Sequence, residues 1–195
     1  FMLTVPATDR ALIDTWFSLA FGCQAVWAVS EVEPSDPAGF DGTIRLATPD
    51  DAEAAIDFDE ILYDHQAEPP SFSGFTKPTR EQIRADTAEI WDDSETYWTF
   101  VAERDGQMVG LLTLYRRPEG DLRVPEHNVD LAFAATRSEV RGGGAGLALN
   151  THALNWAHAQ GFTSMTVDWR SANLLSSRFW PRRGFRPQYL RLYRA

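Results

Sequence analysis

The sequence contains one cysteine, Cys23, and one lysine, Lys77, among 195 residues. A single cysteine cannot form an intrachain disulfide, so the fold needs no such crosslink, and the composition suits a reducing compartment. No apolar run approaches the roughly 18 residues that a membrane-spanning helix requires. We therefore expect a cytoplasmic protein that does not bind a membrane.

Positive charge is also scarce, since 28 acidic residues face 18 basic ones and the formal net charge is −10. A surface of this sign repels polyphosphates, so we expect no nucleic-acid partner. His152 and His158 are six residues apart on one predicted helix and face different sides, whereas a helical metal pair needs a spacing of four. We therefore expect no metal site.

Hydrophobic periodicity and turn residues predict a mixed α/β fold. The predicted elements are strand 2–5, helix 9–19, strand 25–32, strand 44–47, helices 48–63 and 78–91, strands 97–103 and 108–115, strand 128–135, helix 144–160, strand 162–169, helix 171–180 and strand 185–193. A stretch rich in proline and glycine, 33–42, separates the first three elements from the rest. We therefore divide the chain into an N-terminal segment, 1–40, and a main domain, 41–195.

The N-terminal segment resembles the end of the chain at an offset of 162 residues. Five identities carry this: Thr4, Val5, Leu12, Phe17 and Gly22 match Thr166, Val167, Leu174, Phe179 and Gly184. Two interpretations are open. The two strand–helix–strand units are unrelated, or residues 1–32 are the last piece of a degenerate upstream copy of the same fold.

A glycine cluster lies between the strand 128–135 and an alanine-rich helix: Gly142, Gly143, Gly144 and Gly146. Without Cβ atoms, the backbone N–H groups can approach an anion closely, and the start of the following helix adds further N–H groups and a positive dipole end. The cluster therefore suits a pyrophosphate, with a flexible turn as the alternative. It is not a P-loop, because no Gly-Lys-Ser/Thr sequence closes it.

The spacing Arg141-x-x-Gly144-x-Gly146 resembles the Arg/Gln-x-x-Gly-x-Gly/Ala motif of the GNAT superfamily of acyl-CoA N-acyltransferases. Downstream, Asn173-x-x-Ser176-x-x-Phe179-Trp180-x-x-x-Gly184-Phe185 is similar to the Asn-x-x-Ala-x-x-Phe-Tyr-x-x-x-Gly-Phe signature of that family. The resemblance covers 43–195 and implies the GNAT fold, a mixed and mostly antiparallel sheet flanked by helices. The extra N-terminal strand–helix–strand segment then suggests the C-terminal part of a tandem-GNAT chain.

The resemblance also implies a coenzyme A site. The backbone of the glycine motif would bind the pyrophosphate through Arg141, Gly142, Gly143, Gly144, Ala145 and Gly146. The end of the preceding strand would pair with the pantetheine arm, across a splay between two parallel strands, through Ala134, Ala135 and Thr136. Asn173 would contact the pantetheine or adenine side, and it can cap its helix at the same time.

The catalytic groups are less well determined by the resemblance. Many family members carry an acid six residues before the position of Thr136, which is Asp130 here, so Asp130 is the candidate catalytic base. Its alternative role is that of a structural polar residue. Trp180 occupies the position of the tyrosine that often protonates the departing thiolate, which leaves Tyr189, Tyr193 or water as the general acid.

The sequence thus predicts an N-acetyltransferase that transfers an acetyl group from acetyl-CoA, its co-substrate, to a primary amine in a ternary complex. A non-catalytic GNAT-fold module that senses acyl-CoA is the alternative, and a nucleotide-binding protein is a weaker third. Acids between Asp50 and Glu95 lie on the two helices that line the acceptor side in this family. They either attract a cationic acceptor or are solvated helix faces.

Overall fold

A computed structural model describes residues 1–74, 76–118, 120–121 and 123–195. The strands are β1 (Met2–Pro6), β2 (Gly22–Glu31), β3 (Thr43–Leu46), β4 (Tyr97–Arg104), β5 (Gln107–Tyr115), β6 (Asn128–Thr136), β7 (Ser164–Arg170) and β8 (Arg186–Tyr193). The helices are α1 (Arg10–Ser18), α2 (Ala52–Ala67), α3 (Arg80–Asp86), α4 (Ala88–Asp92), α5 (Ala145–Ala159) and α6 (Leu174–Phe179).

All eight strands form one sheet in the order β1-β8-β2-β7-β6-β5-β4-β3. Every neighbouring pair is antiparallel except β6 and β7, which run parallel. Helix α5 packs on one face, where Leu149 and Ala153 join the main core, and α2 packs Phe58 on the other face. The expected mixed, mostly antiparallel sheet flanked by helices is confirmed.

The β4–β5 hairpin follows directly from its sequence. Asp105 and Gly106 have φ angles of 51° and 70° at the turn between Arg104 and Gln107. Two positive φ angles are the requirement of the type I′ turn, whose twist matches that of paired strands, and Asp-Gly adopts them at little cost. The predicted hairpin is confirmed.

The helix predicted over 78–91 is divided in the structure into α3 and α4. Thr87, at the break, donates its hydroxyl to the carbonyl of Ile83 at 2.9 Å, a local bond that competes with regular helix. The helix predicted over 171–180 begins later, at Leu174, because the Asn173 side chain caps it by accepting from the N–H groups of Leu175 and Ser176.

The N-terminal strand–helix–strand is present, and it is part of the main sheet. Strand β2 lies between β7 and β8 and pairs with both, while β1 pairs with the outer edge of β8. Ile13 of α1 packs in a small core with Val5, Phe21 and Leu192. The sheet is therefore continuous across residue 40, and the division of the chain into 1–40 and 41–195 stays a prediction.

The internal offset of 162 residues recurs in the strand pairing. Val5 of β1 faces Leu190 of β8, and Ala28 of β2 faces Val167 of β7. Replacing Val5 and Leu190 by the residues 162 positions away produces the second pair. The units β1–α1–β2 and β7–α6–β8 are therefore related by a local twofold arrangement. The existence of an upstream copy of the fold stays a prediction.

Removing residues 1–32 should abolish folding, because β2 is hydrogen-bonded along both edges and its loss separates β8 from β7. Removing only residues 1–8 takes away the edge strand β1, so that chain should fold with a lower unfolding temperature. Circular dichroism and gel filtration of both truncated chains test this. A soluble 33–195 chain that unfolds at the temperature of the intact protein would contradict it.

Candidate active site

The parallel strands β6 and β7 separate part-way along their length. Their pairing runs from Asn128–Ser164 to Leu131–Val167, after which β6 continues to Thr136 and β7 to Arg170. Backbone N–H and C=O groups that have no neighbouring strand remain available to a ligand. The expected splay is thus located immediately beyond Leu131 and Val167.

A cavity of about 500 Å³ passes through this gap. Its walls come from α2, β5, the end of β6, the glycine loop with the first turn of α5, and α6. Nine of the candidate residues lie on these walls: Ala134, Ala135, Thr136, Arg141, Gly142, Gly144, Ala145, Gly146 and Asn173. The tenth candidate, Gly143, does not line the cavity, because its N–H donates to the Val140 carbonyl within the turn, at 3.0 Å.

The glycine loop presents a bare helix terminus to the cavity. Gly144 has a φ of 88°, and a Cβ there would lie 2.5 Å from the Gly39 carbonyl oxygen, so only glycine fits. No side chain caps α5, and its first backbone bond joins the Ala148 N–H to the Gly144 carbonyl. The N–H groups of 145–147 therefore have no helical acceptor, and together with the helix dipole they suit an anion.

The stretch 33–42 holds this loop in place. Ser35 exchanges two hydrogen bonds with the side chain of Asn155 on α5, each 2.9 Å long. Arg104 stacks over the Phe40 ring, donates to the Asp41 carbonyl at 2.8 Å and to the Gly143 carbonyl at 3.3 Å. The segment read as a linker is therefore a strap that crosses α5 and packs against the glycine loop.

Arg183 is a wall residue that the motifs did not indicate. Its guanidinium lies 4.6 Å from the centre of the Phe179 ring, and its Nε is buried with no hydrogen-bond partner among the described residues. With Arg141 it places two guanidinium groups on the wall that also carries the α5 terminus. The only sequence signal was the concentration of arginines near the C-terminus.

His65 is the second residue that sequence reasoning missed, because it looks isolated in the chain. It extends from α2 into the cavity, and its Nε2 lies 3.2 Å from Oδ1 of Asn173. The same oxygen accepts the two N–H groups that begin α6. The residues meet only because α2 and α6 approach the gap from different parts of the sheet.

The model of the acetyltransferase (GNAT) family matches residues 59–185, which include the gap and all the cavity walls. The chain belongs to this family. No curated protein sequence matches the chain significantly.

Solved GNAT structures share the fold at low sequence identity. A GCN5-related N-acetyltransferase from Sphaerobacter thermophilus is 14% identical, with a TM-score of 0.70 over 98% of this chain and 58% of its own. The PaiA N-acetyltransferase from Thermoplasma acidophilum, solved with coenzyme A, is 13% identical, with a TM-score of 0.60 over 76% of this chain and 96% of its own. A ribosomal-protein-alanine N-acetyltransferase from Brucella melitensis is 19% identical, with a TM-score of 0.58 over 77% and 97%.

Two lengths of neighbour are thus represented. This chain spans just over half of the Sphaerobacter protein, but nearly the whole of the Thermoplasma and Brucella chains is matched by three quarters of it.

Asp130 does not line the GNAT cavity. It is 3% exposed, its Oδ2 accepts from Nη2 of Arg117 at 2.9 Å, and its Oδ1 accepts from the Thr166 hydroxyl at 2.6 Å. Both oxygens thus have partners in a buried ion pair beside a void of about 10 Å³. The structural role expected as its alternative is present, and a catalytic role stays a prediction.

Trp180 is a cavity wall residue with a structural contact of its own. It is 7% exposed and packs edge-on against Phe179 and Phe185. Among the described residues, no tyrosine lines the cavity, so neither Tyr189 nor Tyr193 occupies the position of the missing hydroxyl.

Most acids of α2 form ion pairs with arginines or the lysine. Asp51 pairs with Arg45, Glu53 with Arg84, and Asp57 and Glu60 with Arg80, all within 2.8 Å; Asp64 pairs with Lys77 at 2.9 Å. Asp59 is different, because burial raises its pKa to about 6. The charge available to attract a cation is therefore smaller than the sequence suggests.

Two searches of the described residues were negative. They contain no group of three or more side chains that could hold a metal ion. None of their helices is long and apolar enough to cross a membrane.

Gly146→Glu should weaken coenzyme A binding by about 10²-fold or more, because the new carboxylate would occupy the anion position at the α5 terminus. A Cβ at Gly146 would have only ordinary contacts, 3.7 Å from Phe179 and Thr136, so the variant should fold. Gly146→Ala adds the same Cβ without the charge and serves as the control. Calorimetric titration with coenzyme A measures both, and equal affinity in the Glu variant would show that this loop does not bind the pyrophosphate.

Proposed function

We propose that this protein is an N-acetyltransferase that moves the acetyl group of acetyl-CoA to a primary amine, directly, in a ternary complex. The observation that carries the proposal is the cavity through the β6–β7 gap, with the bare α5 terminus on its wall. Its lining includes Leu111, which faces α2, and Leu112, which faces α5. Because the cavity reaches both faces of the sheet, a donor and an acceptor can meet inside it.

The residues of the cavity fit coenzyme A at both its charged and its amide parts. The N–H groups of 145–147 and the guanidinium groups of Arg141 and Arg183 would hold the phosphates. The unpaired end of β6, from Ala134 to Thr136, would hydrogen-bond the amides of the pantetheine arm. Acetyl-CoA supplies the acetyl group as an activated thioester.

Transfer forms a bond between the amine nitrogen and the acetyl carbon and breaks the bond from that carbon to sulfur. An ammonium acceptor must lose one proton before it attacks and a second as the amide forms, while the departing thiolate can take one. Imidazole both accepts and donates protons near neutral pH. His65 is the cavity-wall side chain of this kind among the described residues, and Asn173 holds its ring. We therefore assign proton transfer to His65, with Asp130 as the rival candidate.

Release of free thiol from acetyl-CoA, measured with a broad panel of primary amines, tests the proposed function. Mass spectrometry of the products should show an acetyl group on nitrogen. Calorimetric binding of coenzyme A runs in parallel. Binding without thiol release from any amine would favour the non-catalytic sensor, and the absence of both would exclude the acyl-CoA site.

His65→Gln should lower kcat by about 10²-fold and leave the affinity for coenzyme A unchanged, because glutamine can still donate a hydrogen bond to Asn173 but cannot transfer a proton. His65→Ala should be equally slow, and added imidazole should partly restore its rate.

Asp130→Asn is the matched comparison, measured together with its unfolding temperature, because Arg117 loses its buried charge partner in this variant. Full activity of His65→Gln, together with a slow but equally stable Asp130→Asn, would transfer the role to Asp130.

A further inference from the structure

Three strands carry a row of residues beside the gap, on the sheet face opposite α5. Ala25 of β2 is paired with Arg170 of β7 on one side and with Arg191 of β8 on the other. Val26 and Ala28 pack in the core beneath α5, so Ala25 and Trp27 point to the opposite face. Two arginines on either side of a small residue leave a shallow basin between their side chains.

The same alternation assigns the arginines to that face. On β7, Val167 and Trp169 are in the core beneath α5, and Arg170 follows with the opposite orientation. On β8, Leu190 and Leu192 pack with the α1 core, which leaves Arg191 facing away from it. The basin is thus lined by Arg170, Ala25 and Arg191, with Trp27 next to it.

Arg191 is held in position but has unused donor capacity. Its guanidinium lies 5.0 Å from the centre of the Trp27 ring, and Arg123 lies 4.7 Å from the same centre. The Nε of Arg191 is buried and has no hydrogen-bond partner among the described residues. A buried guanidinium N–H without an acceptor is costly, and a ligand carboxylate would supply that acceptor.

The electrostatics of the basin favour an anion. The pKa of Arg170 is lowered, first by burial and then by the positive charge of Arg191. An anion between the two groups would offset that repulsion. The acids of α2, in contrast, already pair with basic side chains.

The basin adjoins the gap through which the cavity passes. Arg170 ends β7, beyond the last residue paired with β6, and its carbonyl accepts the N–H of Asn173 at 2.9 Å. Asn173 lines the cavity and contacts His65. A molecule bound in the basin would therefore have its other end at the acetyl-transfer position.

We propose that this basin binds the acceptor, and that the acceptor is an amine that also carries a carboxylate, such as an amino acid or a peptide with a free C-terminus. Arg191 holds the carboxylate while the amine faces the gap. This inference rests on the proposed acetyltransferase function and replaces the cationic acceptor that the acids of α2 suggested.

Matched pairs of acceptors test the assignment: amino acids and their amides, assayed by thiol release from acetyl-CoA with the intact chain. For the accepted side chains, the free carboxylate should have at least a tenfold higher kcat/KM than the amide. Arg191→Gln should raise KM for the carboxylate at least tenfold, change kcat little, and leave the amide within about twofold. Arg191→Lys should be intermediate, because it keeps the charge but not the planar fork.

Arg186→Gln is the control, since Arg186 lies on the same strand but pairs with Glu31 at the exposed end, outside the basin. It should behave as the unaltered protein. Amides that equal or exceed the acids in every pair would overturn the proposal, and so would equal effects of Arg191→Gln on both members.

A second measurement does not depend on turnover. Ligand-observed NMR with a panel of N-acetyl amino acids and their amides, in the presence of coenzyme A, should show binding of carboxylates that Arg191→Gln abolishes. Binding of these probes without any turnover would retain the basin and reject the enzyme. Turnover of amines without carboxylate selectivity would retain the enzyme and reject the basin.

Discussion

The parallel pairing of β6 and β7 ends after Leu131 and Val167, and the candidate site is organised around that ending. Parallel strands bury their backbone groups by hydrogen-bonding to each other, so two strands that separate inside a sheet leave groups that need another partner. The cavity passes through this opening, with the glycine loop on one side of it and the arginine basin on the other. Each half of the proposed reaction uses one side of the same gap.

The sheet must remain rigid on both sides of the gap for it to persist. On the β6 side, the hairpin β4–β5 and helix α5 provide the support. On the β7 side, the neighbour is β2, which comes from the N-terminal segment. The same strand supplies Ala25 and Trp27 to the basin. The N-terminal segment is thus both structural support and a part of the proposed acceptor site.

Charge in this protein is distributed differently from its composition. The chain carries a net charge of −10, yet both proposed binding regions are lined by arginines whose Nε atoms lack partners, Arg183 at the cavity and Arg191 at the basin. The acids of α2 are largely neutralised by Arg80, Arg84 and Lys77. At short range, such local groups outweigh the field of the whole molecule, which salt screens within about 10 Å.

Local sequence determined the features that depend on neighbouring residues alone. The Asp105-Gly106 turn, the glycine loop that begins α5 and the Asn173 cap of α6 are each formed by a few consecutive residues with particular backbone and side-chain requirements. For this reason the hairpin and the mixed sheet were predictable, as were nine wall residues.

Tertiary structure alone decided which distant segments meet. The insertion of β2 between β7 and β8, the contact of His65 with Asn173 and the pairing of Asp130 with Arg117 join segments that sequence patterns treat as independent. Strand periodicity specifies which residues share a face but not which strands are neighbours, because backbone hydrogen bonds are the same for every sequence. The packing of the whole chain therefore placed the arginines of β7 and β8 on either side of Ala25.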